Sequence, residues 1–449
     1  MTDASKEMEP MAFYILSLGC AKNTVDAQGM ATLLERAGHQ AMGRAADADL
    51  FIVNTCGFIA SAREESLEAL RDLAAEKAPG QRLLVAGCWS QRDPEAILAA
   101  VPAVDGLIGT RRWMDVGDVV RRLFDSQRPG PVVHLPEAPT VGQDEIGIPR
   151  VALQGDSAYL KIADGCSRSC AFCAIPLIKG PAVSRQPAHV LDEVALLAEW
   201  GVKETILIAQ DTTAYGRDLG VDDGLAQLLE AMVAEVPEME WIRVMYVFPG
   251  AVTPRLIDVM ARHPQILPYI DIPLQHAHPA VLRRMRRPAN VDGVRDTVSA
   301  LRDRMPGVAI RTTFVVGYPG ETEAEFAALV DFVEEMRFDR VGVFTYSHEE
   351  GTPAAALADD VSPEIKAARR DQLMAVQQPI SLAQNQALVG QVLDVLVEGV
   401  GEGLSIGRSY RDAPEIDGLV LVEDEILPGE MVPVEITRAL EYDLVGRVV

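Results

Sequence analysis

Short apolar runs and stretches of helical period take turns along most of this chain. The first run, Phe13 to Leu18, is followed by a helical pattern from Thr24 to Ala37, a strand-like run from Leu50 to Val53, a second helical pattern from Ala60 to Glu76 and another strand from Leu83 to Ala86. The alternation continues to about Phe124. Parallel strands need a crossover between them, and an amphipathic helix is the crossover that also covers the sheet, so the pattern predicts a parallel α/β domain over residues 11–127. From 128 to 151 the periodicity fades into RPGPVVHLPEAPTVGQDEIGIPR, rich in Pro and Gly, which reads as a linker.

A second alternating region covers residues 152–382. Its expected strands are Tyr159 to Ile162, Thr205 to Ile208, Trp241 to Met245, Tyr269 to Ile272, Ile310 to Val316 and Arg340 to Thr345. Repeated strand-helix units of this kind predict a partial or complete βα barrel, whose functional loops lie beyond the carboxyl ends of the strands. After a helical stretch from Pro363 to Leu388 come short Val, Leu and Ile runs broken by Gly and Asp, VLDVLVEGV, DGLVLV and EMVPVEI. These predict a small β-barrel over residues 383–449. The expected fold class is α/β with a C-terminal all-β domain, and 449 residues exceed what one core holds.

Composition adds location and partner class. No apolar run reaches transmembrane length and the start, MTDASKEMEP, is too polar for a signal or transit peptide, so the expectation is a cytoplasmic protein without a membrane partner. A formal charge of -25 lacks the basic footprint of broad nucleic-acid binding, and direct nucleic-acid contact is not expected. That charge suits a basic partner.

The six cysteines fall into two sets of three. Disulfides are disfavoured in the cytoplasm, so these are expected to be metal ligands or reactive thiols. Cys166, Cys170 and Cys173 form a tight C-x-x-x-C-x-x-C loop, whereas Cys20, Cys56 and Cys88 each follow a strand of the first domain, in SLGC, VNTC and VAGC. Ligand sites of open α/β sheets lie at that carboxyl edge, so cysteines distant in sequence can converge there. Three thiolates suit an iron-sulfur cluster with one iron left open, since electron-transfer clusters usually have four. Zinc would want a fourth ligand, and His189, the nearest histidine after the loop, begins an apparent helix and reads as a surface residue.

The loop DGCSRSCAFCAIP, placed after the first strand of a barrel, resembles the radical S-adenosylmethionine superfamily. The resemblance implies a 4Fe-4S cluster on Cys166, Cys170 and Cys173 whose open iron chelates S-adenosylmethionine, with Phe172 part of the pattern. Electron transfer then yields a 5'-deoxyadenosyl radical, needed where a C–H bond is too weakly acidic for a side-chain base. Gln210, Asp211, Gln275 and Arg311, at or near strand ends, and Gly317 in TTFVVGYPGET are the candidates for cofactor contact. Their bland alternatives are hydrogen-bonded structural residues and an ordinary helix entry capped by Thr322 or Glu321. No side chain is assigned as a general acid or base.

SLGCAKNTVD, VNTCGF and AGCWSQR ahead of such a barrel resemble the methylthiotransferases, across essentially the whole chain. That resemblance implies a second 4Fe-4S cluster, on Cys20, Cys56 and Cys88, which supplies or carries the inserted sulfur. It also implies a C-terminal TRAM domain that holds the substrate and an electron donor such as flavodoxin or ferredoxin. Ala21, Gln28, Pro181 and Ala182 depart from the family's commoner residues, and none touches a cysteine position.

LIAQDTTAYGRDL, VMYVFPG, VFTYSHEEGTPAA and GRSYRDAPEIDG resemble the branch that modifies an aspartate of protein S twelve in the small ribosomal subunit. The alternatives are the branch that modifies an adenosine of transfer RNA and a non-enzymatic iron-sulfur sensor. From Ala383 to Val449 there are four Arg, no Lys and thirteen Asp or Glu, so the net charge is 4 - 13 = -9. Such a domain repels phosphates and attracts a basic ribosomal protein. The dense basic run RRMRR at 283–287 reads as the solvated face of a helix, the alternative being contact with ribosomal RNA or an acidic redox partner.

Overall fold

A computed structural model describes residues 9–125, 128, 130–142 and 147–449. Residues 1–8, on which the reading of the N-terminus largely rests, and Pro129 and residues 143–146 of the expected linker lie outside the described residues. The chain divides into two compact units. One joins the residues up to Ala152 with Ala163–Arg168 and Cys173–Arg185; the other comprises Leu153–Ile162, Ser169–Phe172 and Gln186–Val449. The C-terminal barrel therefore shares a unit with the central strands.

The first unit holds a parallel sheet in the order Gln40–Ala41, Ala12–Ser17, Leu50–Thr55, Arg82–Gly87, Gly106–Gly109, Val132–His134. The first strand in sequence sits between the second and third, which makes the sheet doubly wound, with a switch point between Ala12–Ser17 and Leu50–Thr55. Every residue of Leu50–Thr55 is buried because helices cover both faces. Ile52, Leu84 and Ile108 pack with Met30, Leu34 and Val119 on one face, and Phe51, Val53 and Val85 with Leu70 and Ile97 on the other. Val132–His134 falls inside the segment read as a linker. The strand is too short to register as a pattern, yet it pairs with Gly106–Ile108 and extends the sheet.

In the second unit, Ser157–Lys161, Glu204–Ile208, Trp241–Val244, Ile266–Asp271, Ala309–Val316 and Arg340–Thr345 run parallel in sequence order. This is a partial barrel. The helices between them are built conventionally: Glu323–Met336 opens on a capping box between Thr322 and Glu325 and buries Phe326, Leu329, Phe332 and Val333 along one face.

Val392–Gly401, Leu404–Ser409, Val420–Val422, Leu444–Val448 and Met431–Ala439 close a small barrel around Val395, Val420, Val434 and Ile436. Its first hairpin turns on Glu402 and Gly403, both at positive φ, which gives the turn a twist matching the strands. The loop after Ser409 reaches the amino ends of the central strands. There Arg408 lies 2.6 Å from Glu204, which also binds Arg243 at 2.6 Å; Arg411 lies 2.5 Å from Asp339 and Arg340 2.6 Å from Asp412. All of these side chains are buried, so the small barrel is fastened by ion pairs with fixed directions.

Candidate functional site

Cys20, Cys56 and Cys88 follow Ala12–Ser17, Leu50–Thr55 and Arg82–Gly87, the first two of which flank the switch point. Glycines let these turns approach. Gly19 has φ +96°, and a Cβ on it would stand 2.8 Å from Cys56 Cβ; a Cβ on Gly57 would stand 2.6 Å from the Trp89 backbone. Asn23 stitches the turns together, its Nδ2 donating to Leu18 O at 2.9 Å and Thr55 O at 3.1 Å while its Oδ1 accepts from Cys88 Sγ at 3.6 Å. Cys20 occupies the N-cap of the helix Ala21–Arg36.

Burial pushes the Cys56 thiol up to about 11 and the Cys88 thiol up to about 12, the latter against the pull of the Lys179 ammonium. Lys179 is itself buried, with Nζ 3.1 Å from Asp26 Oδ2 and 3.0 Å from Asp164 Oδ1. Burial alone would lower its pKa; Asp164 and Asp26 outweigh that and hold it well above its usual value. A fixed cation thus stands beside Cys88, whose side chain packs with Ala174 and Ile178. Among the described residues no three His, Cys, Asp or Glu close on a single ion. A cubane offers its irons at separate corners, so its thiolates need to converge without meeting, and this three-turn cradle fits such a body.

In the second cysteine loop, Cys166 N donates to Gly180 O at 3.0 Å. Farther along, Ala171 N donates to Met285 O at 2.9 Å and Ala171 O accepts from Ala354 N at 2.8 Å. Cys170 Sγ accepts from Arg287 Nη1 at 3.6 Å, and the Arg287 guanidinium lies 4.3 Å over the Phe248 ring. Phe172 packs with Ala171, Tyr318 and Tyr346. The basic run therefore departs from the expected solvated face: Arg283 and Arg286 are exposed, but Met285 is buried, Arg284 pairs with Glu325 at 2.8 Å and Arg287 turns to Cys170. Its burial comes from the apolar anchors Val281, Leu282 and Met285, which the count of charges masks. His189 lies exposed on the helix Pro187–Glu199, as expected.

Four of the five other candidates stand at carboxyl ends of central strands. Gln210 and Asp211 follow Glu204–Ile208; Gln210 Oε1 is buried with no hydrogen-bond partner among the described residues, and Asp211 accepts from the Thr213 hydroxyl. Gln275 is held at φ +74°, its N donating to Thr313 O and its O accepting from Val315 N, both at 2.8 Å. Gly317 has φ +70° and its amide donates to Glu321 Oε2. Arg311 differs, being the third residue of its strand, 3.0 Å from Asp271 Oδ1 and 3.3 Å from Asp417 Oδ1.

Sequence reasoning passed over Lys179, Arg287 and Tyr246, the last at φ +60°. Lys179 had a signal, standing six residues after Cys173 in an otherwise apolar turn. The C-terminal acidity also sharpens. Arg408, Arg411, Asp412 and Asp417 have buried side chains and cancel, so the remaining two Arg and eleven acids, 2 - 11 = -9, put the whole charge at or near the barrel surface.

Residues 12–109 match the uncharacterized protein family UPF0004, 160–333 the radical SAM superfamily and 389–449 the TRAM domain. Proteins named ribosomal protein uS12 methylthiotransferase RimO are similar over nearly the full length. The one from Roseiflexus sp. (strain RS-1) is 48% identical, covering 98% of this chain and 97% of its own; that from Chloroflexus aurantiacus is 48% identical, covering 97% and 99%. Among solved structures, the radical S-adenosylmethionine methyltransferase TsrM from Kitasatospora setae shares the fold, with a TM-score of 0.57 at 15% identity over 77% of this chain and 74% of that one.

Proposed function

Because the chain belongs to the RimO family of ribosomal protein uS12 methylthiotransferases, we propose that it replaces a hydrogen on the β-carbon of an aspartate in that small-subunit protein with a methylthio group, using S-adenosylmethionine as methyl donor and radical source. The similarity that carries this reading spans 98% of the chain and so takes in the separate parallel domain with Cys20, Cys56 and Cys88 after three adjacent strands.

Cys166, Cys170 and Cys173 would hold one 4Fe-4S cluster and Cys20, Cys56 and Cys88 the other. When bound, the first supplies the electron that splits S-adenosylmethionine and the second the sulfur. Around them the chain's own residues have simpler tasks. Arg287 donates to Cys170 and stabilises negative charge on its sulfur, and Lys179 does the same by proximity for Cys88. Phe172, Gln210, Asp211, Gln275 and Gly317 orient the cofactor at the strand ends. Hydrogen leaves the substrate as an atom, so no side chain has to act as a base. The acidic barrel surface draws in the basic ribosomal protein, a donor of the flavodoxin or ferredoxin class supplies electrons, and the ribosomal substrate places the enzyme in the cytoplasm.

The test is mass spectrometry of uS12 from a strain that gains this gene, with the expected replacement of H by SCH3 on one aspartate. Methylthioadenosine in transfer RNA hydrolysates, with unmodified uS12, would transfer the chain to the nucleic-acid branch. No product and no cleavage of S-adenosylmethionine by iron-loaded protein would leave a sensor.

A further inference from the structure

Three of the segments that mark this sequence, GRSYRDAPEIDG, VMYVFPG and LIAQDTTAYGRDL, meet in one run of polar contacts along the central strands. It begins in the small-barrel loop at Asp417, whose Oδ2 accepts from the Tyr269 hydroxyl at 2.7 Å and the Ala413 amide at 3.0 Å. Its Oδ1 lies 3.3 Å from Arg311 Nε, and Arg311 Nη1 donates to Asp271 Oδ1 at 3.0 Å. Asp271 then holds the turn after Trp241–Val244: its Oδ2 accepts from Tyr246 N at 3.2 Å and its carbonyl from Val247 N at 2.9 Å. Tyr246 sits at φ +60°, a region a bulky side chain avoids, so its turn needs such bonds to persist.

From that turn, contacts reach both sides of the mouth. Thr212 donates to Tyr246 O from N at 3.1 Å and to Met245 O from Oγ1 at 2.8 Å, fixing the loop after Gln210 and Asp211. Phe248 lies under Arg287, which touches Cys170 Sγ.

We propose that Asp417, Arg311 and Asp271 are positioning residues: they fix the Tyr246–Phe248 turn and, through Phe248 and Arg287, the environment of Cys170, so the small barrel supports the radical site as well as holding the substrate. Arg311 is on this reading a strut and not a cofactor ligand. Its planar fork binds two carboxylates in set directions, which a lysine, a point charge on a flexible stem, does not reproduce. The purpose assigned to the relay rests on the methylthiotransferase reading; its existence does not, because amide exchange detects it without substrate.

Hydrogen exchange on the full-length protein compares Arg311→Lys and Asp417→Asn with Arg411→Lys, the same conservative change at the neighbouring Asp339 pair. Exchange of the Tyr246, Val247 and Phe248 amides should rise about tenfold in the first two, the order expected for losing a charge-assisted hydrogen bond, and stay near wild type in Arg411→Lys. The electron paramagnetic resonance spectrum of the reduced protein, taken in a Cys56→Ala background, should shift with the first two changes and not with the third. A rise in all three variants would mean general loosening of the interface and overturn the proposal. So would unchanged exchange at the turn, and a response to Arg311→Lys alone would remove the small barrel from the relay and overturn it equally.

Discussion

Lys179 Nζ lies 3.0 Å from Asp164 Oδ1, and neither side chain is more than 8% exposed. Asp164 stands two residues before Cys166, so this ammonium ties the start of the second cysteine loop to the helix that follows Cys20, which contributes Asp26. Lys179→Met would take the shared ammonium from two buried carboxylates, with Arg150 remaining 4.0 Å from Asp164, and should destabilise the first unit by about 3 kcal/mol, with Lys179→Arg losing less. Denaturant unfolding followed by tryptophan fluorescence measures it; equal midpoints for Met and wild type would show that the pair carries no stability.

Burial raises the Glu204 carboxyl, and Arg243 and Arg408 outweigh it, bringing the group down to about 2 from an ordinary 4.5. A folded-state pKa below the unfolded one gives stabilisation that is complete above pH 4.5 and lost as pH falls toward 2. The second unit should therefore melt at progressively lower temperature across that window. Glu204→Gln should flatten the dependence while lowering stability at neutral pH by about 3 kcal/mol, since it takes the carboxylate from Arg243 and leaves Arg408 with Glu398 alone. A Gln variant with the wild-type acid profile would assign the lability elsewhere.

Gly317→Ala meets two obstacles: φ is +70°, and the new Cβ would collide with Lys366 Cγ. The backbone part alone is worth about 1–2 kcal/mol. Trimming the neighbour in Gly317→Ala/Lys366→Ala should relieve the collision and leave the backbone penalty, so the two variants should differ in melting temperature. Binding of S-adenosylmethionine, by calorimetry, should weaken in both.

Asp394, Glu425 and Glu430 are exposed acids of the small barrel. Neutralising them to Asn, Gln and Gln should weaken affinity for the basic ribosomal protein by about tenfold at low salt and reduce its salt dependence, with folding unchanged. Affinity that is insensitive to both changes would place recognition on another surface.

The strands could be read from the sequence because burial on both faces turns them into unbroken apolar runs, as at Leu50–Thr55, and the cysteines could be placed because each follows such a run. Helix Ala21–Arg36 starts earlier than its apolar pattern suggests since its first turn is buried around Asn23. What resisted reading depends on partners far along the chain. Arg311 looked like any polar residue near a strand end, and its partner Asp417 belongs to another domain. Arg287 was hidden within a charge run, and nothing in VMYVFPG announces a left-handed tyrosine.

Arg408 and Arg411 enter the interior carrying their charge, and this makes the C-terminal barrel a poor candidate for transplantation. A recipient lacking acids at the positions of Glu204 and Asp339 would have to bury the Arg411 guanidinium without its carboxylate and would leave Arg408 with only Glu398 of its own barrel, so such a chimaera should assemble poorly. Recombination that shuffles the tail among related enzymes has to carry both acids along, so the descent of the last domain is tied to two residues lying far upstream of it.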